Sequence, residues 1–64
     1  MNNPIYEMYN ELEDIINGSA IDAEKFDSGN NSAGTRVRKA MQNIKNLAQH
    51  VRIAVQAQKN GVPA

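Results

Sequence analysis

Ser28-Gly29-Asn30-Asn31-Ser32 is the stretch that decides the fold. Glycine and asparagine accept positive backbone φ angles at little cost, and serine or asparagine caps the free amides of a following helix. The five residues therefore read as a sharp turn between two helices. Working backward from it, Ile5, Met8, Tyr9, Leu12, Ile15, Ile16, Ala23 and Phe26 recur at helical spacing and line one stripe. Asn3 followed by Pro4 opens that helix, because asparagine caps amides and proline is tolerated at the first helical position. Working forward, Ala33, Val37, Ala40, Ile44, Leu47, Val51 and Ala54 alternate steps of four and three, with Met41, Ala48 and Val55 widening the stripe on one side. Gly61 and Pro63 stop the second helix.

The expected architecture is all-α, an antiparallel two-helix hairpin. Residues 1–64 make a single helical-hairpin domain, with helix one over about 4–28, the turn over about 29–31 and helix two over about 32–59. Asn17-Gly18-Ser19 leaves two readings of helix one. Either it runs through with a weak point at Gly18, or two shorter helices meet there, the second capped by Ser19 with Asp22 three residues on. The apolar spacing stays in phase across Gly18, which favours the continuous helix even though glycine costs about 1 kcal/mol against alanine.

Length and composition limit the chemistry. A chain of 64 residues encloses a core that supplies no more than about 3 to 5 kcal/mol alone. Cysteine is absent and there is one histidine, so disulfides and the usual Cys/His zinc sites are excluded. Self-association is the expected support: a hairpin leaves one side of each apolar stripe uncovered, and two hairpins paired as a four-helix bundle, a homodimer, would cover it. No apolar run approaches the roughly 18 to 20 residues that cross a bilayer, and the N-terminus lacks the basic-then-apolar order of a secretory signal. A cytoplasmic protein without membrane contact is the expectation.

The charges are sorted by position. All seven acidic residues lie at or before Asp27, and every basic residue except Lys25 lies at or after Arg36, so a formal net charge of zero hides an acidic half and a basic half. From Gly29 onward there are six Lys or Arg and no Asp or Glu. Such a segment attracts a polyanion although the whole molecule is neutral. With Val37 at heptad position a, Arg38, Lys45, Arg52 and Lys59 all fall on position b. Neighbours in that row stand about 10 Å apart along the helix axis and project away from the seam. Solvent-facing helix positions are often filled with Lys and Arg, and the acids of helix one could neutralise them across the hairpin. An ordinary exposed helix mixes both signs, however, and the missing carboxylates point to phosphate contact.

Arg36, Arg38 and Lys39 stand in the first turns of helix two, where the positive end of the helix dipole disfavours cations by up to about 1 kcal/mol each. Together with free amides after Ser32 they would make an anion site suited to a nucleic-acid phosphate. The competing reading is local pairing with Glu24 and Asp27 once the turn closes. His50 has no second histidine or acid near it in helix two and is assigned no role.

An enzyme is not expected. There is no Walker-type glycine loop and no His-Glu-x-x-His pattern; Glu11, Glu13 and Asp14 fan over different helix faces, and a hairpin offers no dry concavity for acid-base work. No cofactor and no metal is expected.

The run from Ser28 to Arg52 resembles the core of the bacterial linker-histone-like proteins, the chlamydial-type histone family. The family's signature is roughly Gly-Asn-x-x-Ala-Gly-x-Arg-x-Arg-Lys, matched here by Gly29, Asn30, Ala33, Gly34, Arg36, Arg38 and Lys39. The preceding Asp22-Ala-Glu-Lys-Phe26 is similar to the family's approach to its turn. The resemblance covers about half of the chain and implies a small helical DNA-compacting protein, binding without sequence preference through Arg36, Arg38, Lys39 and the downstream cations Lys45, Arg52 and Lys59. Family members commonly add a lysine-rich C-terminal tail and a strongly basic balance, whereas these 64 residues are neutral overall.

Two functions follow as expectations. The first is a histone-like, nucleoid-associated protein that holds the DNA phosphate backbone, with RNA as a second candidate polyanion. The alternative is a helical oligomerisation or adaptor module that assembles through its complementary acidic and basic faces.

Overall fold

A computed structural model of the chain describes residues 4–61. Helix α1 spans Pro4–Asp27 and helix α2 spans Asn31–Lys59, packed against each other as a hairpin whose extents are 49 × 19 × 11 Å. The expected caps and stops at Asn3 and Pro63 lie outside the described residues.

The turn is built by a Schellman motif running straight into an asparagine cap. Gly29 takes φ +104°, its amide donates to the carbonyl of Phe26 at 2.9 Å, and the amide of Asn30 reaches back to the carbonyl of Lys25 at 2.9 Å. This is the arrangement that satisfies the last carbonyls of a helix through a left-handed residue, where a side chain would be strained. The Asn30 Oδ1 then accepts from the amide of Ala33 at 3.2 Å and from the Ser32 hydroxyl at 2.8 Å. Asn30, rather than Ser32, is therefore the cap. α2 consequently begins one residue earlier than the spacing predicts, and α1 ends one residue sooner, where the bonds of Gly29 to Phe26 and of Asn30 to Lys25 replace the helical pattern.

α1 runs unbroken through Gly18, which has open space on its Cα. The local turn signal of Asn17-Gly18-Ser19 does not interrupt the helix. On α2 the inward stripe is the expected one. Ala33 and Ala54 are buried, and Val37, Ala40, Ile44, Leu47 and Val51 are partly covered. On α1 the inward stripe holds Ile5, Met8, Leu12 and Ile15 as expected, but Tyr9 and Ile16 stand exposed beside it, its continuation is Ser19 and Asp22, and Ala23 and Phe26 are exposed. The reason is periodicity: steps of four and three from Met8 through Leu12 and Ile15 land on Ser19, Asp22 and Phe26, and Tyr9, Ile16 and Ala23 each stand one position round the helix.

Phe26 is half exposed, yet its ring lies on the first turn of α2 over Gly34. A Cβ on Gly34 would stand 2.5 Å from Cδ1 and 2.6 Å from Cε1 of that ring. Gly34 thus leaves the space that the aromatic ring fills beside the turn.

Two glycine substitutions should separate helix propensity from packing. Gly18→Ala should raise stability by about 1 kcal/mol, seen as a higher midpoint in thermal unfolding followed by circular dichroism. Gly34→Ala should not show that gain in the native background, because the ring must swing away, and should recover it when Phe26→Ala removes the ring.

Candidate nucleic-acid interface

The cations of α2 divide between two flanks of the hairpin. At 100° per residue, Arg36, Asn43 and His50 lie to one side of the inward stripe, while Gly34, Met41, Ala48 and Val55 lie to the other, with Arg38, Lys45, Arg52 and Lys59 beyond them. The packing fixes which flank of α1 meets which. Glu11 and Ile15 share an open groove with Asn43, Asn46, Leu47 and His50, so the Arg36 flank faces the Glu11 flank.

Arg36 is held there by Asp22. Its Nε donates to Asp22 Oδ1 at 2.9 Å, with the Arg36 side chain half exposed and that of Asp22 about one-fifth exposed. This is the one ion pair among the described residues. The local pairing expected from Glu24 and Asp27 is not formed, because both acids stand on exposed positions while Asp22 occupies the seam across from Arg36. An exposed pair of this kind is worth about 0 to 1 kcal/mol.

Among the described residues, the remaining cations of α2 have no carboxylate within 4.0 Å. Arg38, Lys39, Lys45, Arg52 and Lys59 are all exposed, and the only side-chain hydrogen bond among them runs from Arg52 Nη1 to the neutral Gln49 Oε1 at 3.4 Å. A row from Arg38 to Lys59 covers about 32 Å at the helical rise, close to one turn of duplex DNA. The structure does not gather Arg36, Arg38 and Lys39 into one cluster: Arg36 and Lys39, three residues apart, share one flank of α2, while Arg38 stands on the other and joins the row. The first-turn amide of Ala33 is already taken by Asn30, and Ala33 itself is fully buried. Arg38 also borders a second open groove, with Phe26, Asn31, Gly34, Thr35 and Val37, beside the turn.

Asp22 is the residue that sequence reasoning missed as a partner. Its signal was the seven-residue step from Met8 to Ile15 to Asp22, which sets an acid on the inward stripe. Among the described residues no three His, Cys, Asp or Glu side chains gather to hold a metal ion, and no helix is long and apolar enough to cross a membrane.

These features define a charge-segregated helical hairpin whose second helix presents unpaired cations, the layout of a polyanion-binding module. A family model described as "Histone H1-like protein Hc1" matches residues 6–61, and the chain belongs to that family. The family is one of non-enzymatic, DNA-binding chromatin proteins. No curated protein and no solved structure matches the chain.

Removing the one ion pair tests its weight. Asp22→Asn should lower stability by no more than about 1 kcal/mol, the loss should shrink as salt is raised, and it should disappear in an Arg36→Gln background when unfolding is measured as a double-mutant cycle.

Proposed function

We propose that the chain is a nucleoid-associated protein that binds DNA without sequence preference, holding the phosphate backbone through Arg38, Lys45, Arg52 and Lys59 along one edge of α2. Lys39 reaches phosphates from the neighbouring face, and Arg36 does so when it leaves Asp22. The observation that carries this reading is the row itself: exposed, regularly spaced and without carboxylate partners among the described residues. Charge of this kind attracts any duplex and reads no bases. Neither a helix shaped to enter the major groove by its side chains nor an aromatic platform for unstacked bases stands on this face. RNA would satisfy the same charges, so duplex DNA is favoured by membership of the family rather than by the row.

The working unit in this proposal is a homodimer, two hairpins forming a four-helix bundle. Its support is the thinness of the single hairpin. No large side chain is fully buried, and the buried apolar residues are Ala33 and Ala54 alone among those described. A nucleoid location inside the cytoplasm accords with the DNA partner.

Assembly through acidic and basic faces without DNA is the second reading, favoured by the exposed apolar positions Met41 and Val55 beside the cations and Ile16 beside Glu13. In that case added duplex would leave the sedimenting mass unchanged.

The test is fluorescence anisotropy with a labelled duplex over a range of salt. A dimer engaging roughly four to eight phosphates should give a slope of log affinity against log salt of about −4 to −7. Each row residue neutralised in both protomers, for example Lys45→Gln, should flatten that slope by about 2, equally for unrelated duplex sequences. An Arg36, Arg38, Lys39 triple alanine variant should weaken binding as well. Affinity indifferent to salt, or to loss of the row, refutes the proposal.

A further inference from the structure

The flank opposite the Asp22–Arg36 pair carries an apolar strip that neither helix covers. On α1 it consists of Tyr9, Ile16 and Ala23, and on α2 of Met41, Ala48 and Val55, each series advancing by seven residues and all six exposed. The larger members are open to solvent: Tyr9 58%, Ile16 52%, Met41 48% and Val55 39%. Both series lie on one side of the hairpin, since the opposite flanks of the two helices are those joined by Asp22–Arg36 and by the groove of Glu11 and His50.

What covers this strip is indicated by its two borders. Beyond the strip on α2 runs Arg38, Lys45, Arg52 and Lys59; beyond it on α1, at the equivalent heptad position, run Tyr6, Glu13, Ala20 and Asp27. One edge is wholly cationic and the other carries two carboxylates and no cation. A surface with an apolar centre and edges of opposite sign is complementary to itself when turned about a two-fold axis.

Resting on the homodimer reading above, we infer that a second copy of this chain closes the strip, with α1 of each hairpin lying along α2 of its partner. The two-fold axis then runs parallel to the helices. The alternative two-fold pairing sets α2 on the partner's α2 and brings two rows of four cations together at the rim, with the two acidic rims equally opposed. The inferred pairing instead sets each cationic row beside the partner's Glu13 and Asp27. Every neighbouring pair of helices is antiparallel in both pairings, so the helix dipoles do not choose between them and the rim charges do. Four cations against two carboxylates leave each rim net positive, so DNA still finds charge on the outside of the bundle. Asp22 and Arg36 lie level in the hairpin, which sets Ile16 level with Met41, and with the axis parallel to the helices Ile16 stays level with Met41 of the partner.

The chain has no cysteine, so single substitutions report the pairing without background. Ile16→Cys and Met41→Cys chains are prepared separately, mixed under reducing conditions and oxidised slowly, with products resolved by mass. The expected result is a mixed disulfide between the two variants in excess of the proportion that random pairing gives. Predominance of the two homodisulfides would overturn the arrangement while leaving a dimer. Sedimentation equilibrium of the unmodified chain that shows only monomer up to high micromolar concentration would overturn the arrangement and the homodimer together. Neither readout uses DNA, so a failure of DNA binding in the anisotropy experiment is a separate result.

Discussion

The narrow seam between α1 and α2 is the constraint from which the rest of the molecule follows. Two helices alone can each turn one stripe inward, and here that stripe is lined by Met8, Leu12 and Ile15 on one side and Val37, Ile44, Leu47 and Val51 on the other, all only partly covered. A seam this thin tolerates little misalignment, which gives the turn its importance. The positive φ of Gly29, the back-reaching amide of Asn30 and the Asn30 side chain that caps α2 set the direction in which the second helix returns. Phe26 on the bare Cα of Gly34 adds the apolar contact nearest that corner. Without a fixed return angle, the periodic stripes would have no common line on which to meet.

Segregated charge has a structural cost and a functional consequence in the same place. Had α2 carried its own acids, pairs three and four residues apart would have steadied it. Instead its cations depend on α1 for counter-charge, and among the described residues only Arg36 finds one, because only Asp22 stands on the seam. The other acids of α1 stand outward, at exposed positions, and leave α2's row open. An arrangement that forgoes local pairing keeps cations available to a phosphate chain, whose counterion release rewards each one. Membership of the histone H1-like family gives that availability its meaning.

How far the chain could be read without coordinates depends on the kind of signal. The α2 stripe was legible residue by residue, since a long helix with one dry side repeats its pattern many times and one odd residue does not shift the phase. The α1 stripe was legible only to Ile15. Past that point Ala23 looked like its continuation because it is apolar, whereas Ser19 and Asp22 hold it because they are in phase, and Phe26, in phase again, lays its ring over Gly34; at Ala23 hydrophobicity and geometry disagree, and geometry wins. The cation row was legible as a row, its members being seven residues apart. The ion pair was not: an acid and a base fourteen positions apart on different helices meet or miss according to the return angle of the turn.

Sequence alone determined that this is a helical hairpin, because the spacing of apolar residues and the chemistry of Gly29 and Asn30 act within a few residues of where they stand. It determined equally that one helix is basic and the other acidic, which no folding can alter. Only the tertiary structure decided which of those charges cancel and which flank of the hairpin stays apolar and uncovered. Both depend on the rotation of one helix about its axis relative to the other, and that rotation is set by how the two stripes fit, not by any single stretch of chain.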